Sequence, residues 1–249
     1  MNLDENEAHL WWVKCSELND TALLKQYRDL LSVVELERQQ RYALEKLRHR
    51  DLLSRALVRT SLSRYQEVNA KGWSFTAGEY GKPSISSPVS SLRFNLTHAE
   101  DYIVLAVSRH HDIGIDIEYM QRKASHLKIA EAYFSNIERA DLSVLPEKAQ
   151  RARFYDYWTL KEAYLKACGL GVMAGLDHFG FQLNQDDSAT IQFYDDESGN
   201  PADWFFWRTV LENDYRLSLA IRCGRDANIK VSLFNVIPLV NYELFSFTE

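Results

Sequence analysis

Four short stretches of the chain carry residues that could do chemistry together. In Ile113-Gly114-Ile115-Asp116-Ile117-Glu118 the isoleucines alternate with Gly, Asp and Glu. On a strand, alternate residues share a face, so Asp116 and Glu118 stand side by side opposite three isoleucines that should be buried. Two adjacent carboxylates repel unless water or a cation separates their charges. Mg²⁺ takes oxygen ligands, commonly one or two carboxylates with a substrate phosphate. Further on, Trp158, Glu162 and Lys166 follow one another at four-residue intervals and share one helix face. Gly81-Lys82-Pro83 sets a lysine between a flexible and a rigid residue, where its ammonium can meet a phosphate as a point charge. His98 ends an apolar run and can donate to an anion. Singly, each pattern also fits a duller role: a wet strand face, an i,i+4 ion pair, a turn, a solvated histidine.

The elements that must position these groups can be read from periodicity. LWWVKC (10–15) reads as a short strand, and Asp20 or Thr21 can cap the helix that follows. A longer helix is expected from about Glu37 to Tyr65, where apolar residues recur every three or four positions. Arg41, Arg48 and Arg55 should share its broad face. AGEYGKPSISSPVSS (77–91) is a loop by composition. LRFNLTH, YIVLAVS and IGIDIEYM read as three strands of an antiparallel meander, the first turn falling at residues 98–101. Ser135 and Glu138 have the spacing of a capping box. Pro146 ends or restarts that helix, and the next, about 147–168, is apolar on most sides and stops at Gly169. The remainder is β-rich (FGFQL, TIQFYDD, WFFWRTV, YRLSLAIRC, IKVSLFNV), with SGNP as a turn. Helices, strands, helices, strands in that order predict two α+β halves.

Composition narrows the class. The chain has 249 residues, 46% hydrophobic and 26% charged, which is enough apolar material for a packed core and too little charge for global disorder. The start, MNLDENEAHLWW, lacks the basic and apolar regions of a secretory signal. No stretch approaches the ~18 apolar residues of a membrane span. Cys15, Cys168 and Cys223 are scattered, which indicates neither a disulfide framework nor a zinc site and suits a reducing cytoplasm. The net charge of -6 argues against general nucleic-acid binding. Between Arg38 and Arg64, however, eight Lys/Arg face only Glu45 and Asp51, which suggests a local anion site.

GKP, FNLTH, IGIDIE and WTLKEAYLKACGLG occur in one order across residues 81–171. That order resembles the long, monomeric, surfactin-synthetase class of 4'-phosphopantetheinyl transferases, whose pattern includes a GKP turn, F-N-x-S-H, G-x-D-x-E and W-x-x-K-E-(A/S)-x-x-K. Thr97 and Ala99 depart from it: threonine keeps a hydroxyl, whereas Ala99 removes a donor. The resemblance implies a monomeric α+β pseudo-dimer of two similar halves, each an antiparallel sheet with helices packed on it, and coenzyme A in the cleft between them. The halves are expected at 1–111 and 112–249, the second carrying the metal site. The resemblance further implies that Asp116, Glu118 and Glu162 hold Mg²⁺, that Lys82 and Lys166 contact phosphates with help from the Thr97 hydroxyl, and that His98 and Arg48 address the 3'-phosphate end. Glu162 would be the base, directly or through water, and Lys166 would serve the leaving phosphate. The implied reaction moves the phosphopantetheine arm of coenzyme A onto a serine of an acyl or peptidyl carrier protein. Two rival readings are a Mg²⁺-dependent phosphohydrolase built on the same carboxylates, and a non-enzymatic binding module using the basic 38–64 segment.

Overall fold

A computed structural model describes residues 1–122, 125–170, 175–194, 199–225 and 227–245. Asp195-Asp196 of a predicted strand, Gly171 of the LKACGLG run and Ser198 of the SGNP turn lie outside them. In chain order the elements are β1 (Glu7–Lys14), α1 (Thr21–Asp29), α2 (Val33–Gln40), α3 (Glu45–Leu62), β2 (Ser74–Ala77), β3 (Pro83–Ser87), β4 (Leu92–Ala99), β5 (Tyr102–Arg109) and β6 (Asp112–Tyr119). There follow α4 (His126–Tyr133), α5 (Asn136–Val144), α6 (Glu147–Cys168), β7 (Phe179–Leu183), β8 (Ala189–Phe193), β9 (Trp204–Leu211), β10 (Tyr215–Arg222), β11 (Lys230–Ile237) and β12 (Asn241–Leu244). The class is α+β, as expected. Among the described residues no helix is long and apolar enough to cross a membrane.

The chain divides into two compact units. The first comprises Met1–His110 and the chain from Lys230 onward; the second is His111–Ile229. In the first, a five-stranded sheet runs β12-β11-β1-β5-β4. Helices α1 and α3 pack on it around Trp11, Tyr27, Leu53, Leu57, Trp73 and Ile103, all fully or almost fully buried. Asp20 caps α1, its carboxylate accepting from the Leu23 amide at 2.7 Å, which satisfies an otherwise orphaned donor. In the second unit β6, β10 and β9 form an antiparallel sheet on which α6 lies, with Phe134, Phe154, Leu160, Phe181 and Phe206 in the core. The division departs from the expected boundary at its far end. β11 pairs in parallel with β1, Glu7 opposite Lys230, so the last strands return to the first unit.

Three other expectations need correction. The helix expected over 37–65 is two helices. α2 closes at Arg41, and Leu44 takes an extended conformation (φ -93°, ψ 131°) before α3 begins. Side chains from both sides stitch the break: the Gln39 amide donates to the Arg48 carbonyl at 3.1 Å, and the Arg48 guanidinium donates to the Tyr42 carbonyl at 2.7 Å. Arg41 therefore shares no face with Arg48 and Arg55. Secondly, the 77–91 stretch is not all loop. β3 pairs with β2 as a hairpin whose turn is closed by the Gly78 amide donating to the Lys82 carbonyl, with Gly81 at φ 81°. Thirdly, the meander stops after two strands. β5 is flanked by β4 and β1, so β6 finds its partner in β10 instead.

Helix α6 has the limits its punctuation predicts. Pro146 sits at its N-cap, and Gly169 takes the left-handed conformation (φ 72°) at its end. The capping box forms at Ser135, whose amide donates to Glu138 at 2.9 Å. Glu138 does more than cap. It is fully buried and meets the equally buried Lys161 of α6 at 2.9 Å. Lys161 also donates to the Leu176 and Phe179 carbonyls, and Glu138 accepts from the Phe181 amide. This closed network ties α5, α6 and β7 together.

Candidate active site

On β6 the alternation holds: Ile113, Ile115 and Ile117 are buried. The opposite face is buried too. Asp116 is only 5% exposed and Glu118 half-buried, because α6 packs directly over them. Gly114 allows that approach. A Cβ there would stand 2.0 Å from the Ala163 carbonyl oxygen and 2.4 Å from the Ala167 amide nitrogen, both on α6. The acidic face is therefore not the wet strand surface that the sequence alone allows. It is a helix–strand interface holding charge.

Glu162 and Lys166 come to this interface from α6, one helical turn apart. Lys166 Nζ lies 2.6 Å from Asp116 Oδ1 and also donates to the Ile115 carbonyl at 3.2 Å. Burial, and then the neighbouring Asp116 charge, push the Glu162 carboxyl up to about 7 against the opposing pull of Lys166. Glu118 is pushed up to about 7 by the same two causes, opposed by Arg122, Lys166 and a hydrogen bond from Trp158. Arg122 Nη1 meets Glu118 Oε2 at 3.0 Å. Trp158 stacks on Phe154 (5.9 Å between ring centroids), so one residue anchors α6 and orients a carboxylate. On the face of β10 that meets α6, the Ser218 hydroxyl lies 2.7 Å from that of Thr159 and fixes the helix beside Asp116, which Ser218 opposes across the sheet.

Asp116, Glu118 and Glu162 fit a hard divalent cation by donor chemistry: all three offer oxygen ligands, and an ion would offset the Asp116 charge that, after burial, raises both glutamates. Among the described residues no three His, Cys, Asp or Glu side chains already converge as a metal cage. In this arrangement the cations on Asp116 and Glu118 are Lys166 and Arg122.

The other predicted residues belong to the first unit. Thr97 is buried and His98 exposed, on alternate faces of β4, the sheet's edge strand. Lys82 leads into β3. A pocket of about 400 Å³ lies in the same unit, lined by Glu35, Arg38, Asp51, Arg55, Arg59, Phe75, Gly81, Pro83, Phe94 and Leu96 among others; Lys82, Thr97 and His98 are not lining residues. Gly81 and Pro83 flank Lys82, and Phe94 and Leu96 share the β4 face of His98. Arg48 is not among the lining residues; its guanidinium is committed to the Tyr42 carbonyl. Arg38, a residue that the sequence offered only as one member of a basic run, does line the pocket. Glu35 holds Arg55 and Arg59 at 2.7 Å each, and Asp51 holds Arg55 at 2.9 Å. Burial opposes charge on Glu35, but the Ser32 amide and the two guanidiniums outweigh it and lower its pKa. The pocket thus has a preorganised ionic wall and an apolar floor.

Comparison with known proteins matches residues 112–220 to the 4'-phosphopantetheinyl transferase superfamily and residues 21–110 to the N-terminal part of 4'-phosphopantetheinyl transferases. Among relatives, Sfp of Bacillus subtilis is 32% identical over 70% of this chain and 76% of its own length. The transferase gsp of Aneurinibacillus migulanus is 30% identical over 87% of this chain and 88% of its own. A solved holo-(acyl-carrier-protein) synthase from Bacillus anthracis, in complex with coenzyme A, is a weak structural match (TM-score 0.38, 18% identity, 44% of this chain and 93% of that one). The two family matches in tandem and the near full-length similarity to gsp place the chain in the 4'-phosphopantetheinyl transferase superfamily, in its long, Sfp-like form.

Proposed function

We propose that the chain transfers the 4'-phosphopantetheine arm of coenzyme A to a serine of an apo acyl or peptidyl carrier protein, giving the holo carrier and adenosine 3',5'-bisphosphate. The observation that carries this reading is the meeting of Asp116, Glu118, Glu162 and Lys166 at one partly buried interface. Asp116, Glu118 and Glu162 would hold Mg²⁺, which when bound supplies positive charge to the pyrophosphate. The serine oxygen attacks the β-phosphorus, and the bond from that phosphorus to the bridging oxygen breaks. Glu162, a carboxylate beside Asp116 and one helical turn from Lys166, is suited to take the serine proton. Lys166 faces the departing bisphosphate with a charge that matters most in the transition state. Trp158 positions Glu118 and does no chemistry.

In the first unit, Lys82, Thr97 and His98 serve the phosphates, and Arg38 joins His98 at the 3'-phosphate. The apolar floor of the pocket, Phe75, Phe94 and Leu96, suits a nucleobase. The chain is read as acting as a monomer in the cytoplasm, in keeping with the scattered spacing of Cys15, Cys168 and Cys223. A phosphohydrolase built on the same carboxylates would release adenosine 3',5'-bisphosphate from coenzyme A by itself. The test is product release with and without an apo carrier. Transfer requires release to depend on the carrier and to match it mole for mole; equal release without carrier would replace this reading with hydrolysis.

A further inference from the structure

Asp116 and Glu118 each have a positively charged partner from this chain, and both partners reach solvent. Lys166 is 28% exposed and Arg122 46% exposed at the side chain. The nearby Lys161–Glu138 pair is different. It is fully buried, Lys161 donates to two further carbonyls, and it cannot open without breaking the core. Lys166 also donates to the Ile115 carbonyl, but neither its pair nor that of Arg122 is fully buried. The Lys166 stem rises from the last turns of α6, and Arg122 follows β6 by a few residues, four after the glutamate it meets. Three carboxylates against these two cations leave the cluster with one formal negative charge.

We infer that Lys166 and Arg122 are resident counter-ions of the acid cluster, which a divalent cation must displace before it binds. The inference rests on the metal reading above and adds an order to it. While Lys166 is on Asp116, its ammonium is not available to a phosphate. An arriving divalent ion would take over Asp116 and release Lys166 toward a phosphate; counted with Lys166 and Arg122 still beside it, the cluster's formal charge turns positive. Both changes favour the anionic pyrophosphate. The ion and coenzyme A therefore bind with positive coupling, and each raises the affinity of the other by the same factor. Arg122 has a narrower part: it competes for Glu118 and sets how tightly the ion is held before coenzyme A arrives.

Mn²⁺ titration followed by electron paramagnetic resonance, on the full chain with and without coenzyme A, reads this directly and needs no turnover. Without coenzyme A, Arg122→Ala should tighten Mn²⁺ binding roughly two- to fivefold, the range expected for removing a part-exposed ion pair. Lys166→Met should tighten it more and lose much of the enhancement that coenzyme A gives the wild type. Arg151→Ala is the control, because Arg151 is bonded to the Met120 carbonyl and removes the same charge nearby. Unchanged Mn²⁺ affinity in Arg122→Ala and Lys166→Met would overturn the inference, and so would an equal gain in Arg151→Ala. Mn²⁺ binding that Asp116→Asn leaves intact would mean instead that the metal reading itself is wrong.

Discussion

Gly114 decides how close α6 comes to the two carboxylates of β6. Gly114→Ala forces a methyl into the α6 backbone, so the helix must shift. Overpacking of this kind costs about 1–3 kcal/mol. The variant should lose that much stability in urea unfolding and a large part of its activity, since Glu162 and Lys166 move with the helix. Wild-type stability would show that the contact is loose. Glu162→Gln keeps shape and an oxygen donor but loses the base, so kcat should fall by about 10²–10⁴-fold while coenzyme A binding partly survives. Near-normal kcat would leave Glu162 as a ligand only. The raised carboxyls also fix a pH signature. The folded chain holds these protons to about pH 7, whereas unfolded glutamates release them near their ordinary value of 4.5. Stability of the metal-free protein should therefore fall as pH rises through that window and level off above it. Protons compete with the ion for the same oxygens, so Mg²⁺ should raise Tm more at pH 8 than at pH 5.5. An equal shift at both would place the ion elsewhere.

Helix α6 is the element on which the site depends, and the Lys161–Glu138 pair secures it from behind. Lys161→Met strands a buried carboxylate and should cost about 3–5 kcal/mol, whereas the double replacement Lys161→Met with Glu138→Gln should recover part of the loss. Thermal denaturation of the three variants checks this; additive losses would mean that the two charges do not support one another. The limits of α6 were legible because Pro146 and Gly169 act through local backbone geometry. Only the family resemblance joined Asp116 and Glu118 to Glu162 and Lys166 as one site, but within each pair the two residues were legible as neighbours in the strand or helix period. The burial of their face was not, since it depends on Gly114 meeting α6 across a distance in sequence. The break between α2 and α3 was hidden because Tyr42, Leu44 and Leu47 continue the apolar period through it. The bonds of Gln39 and Arg48 that brace the break leave no mark in that period. With the break hidden, the pocket and its Arg38 were hidden too.

At the scale of the molecule, what the sequence conceals is pairing between distant strands. β6 reads as the continuation of β4 and β5, yet it pairs with β10, and β11 returns to β1 from the far end of the chain. Strand order is set by which edges remain unpaired, and local pattern does not record that. The same chain nevertheless keeps the acid cluster on one unit and the ionic pocket on the other, each built by its own core. If the two serve one reaction, the whole chain must do what neither set of residues shows alone. The direct measurement is intact-mass spectrometry of an apo carrier protein incubated with this chain, coenzyme A and Mg²⁺. The account predicts a gain of one phosphopantetheine, lost when the carrier's acceptor serine is replaced by alanine or when Asp116→Ala is used. An unmodified carrier, across acyl and peptidyl types and with coenzyme A in excess, would contradict it.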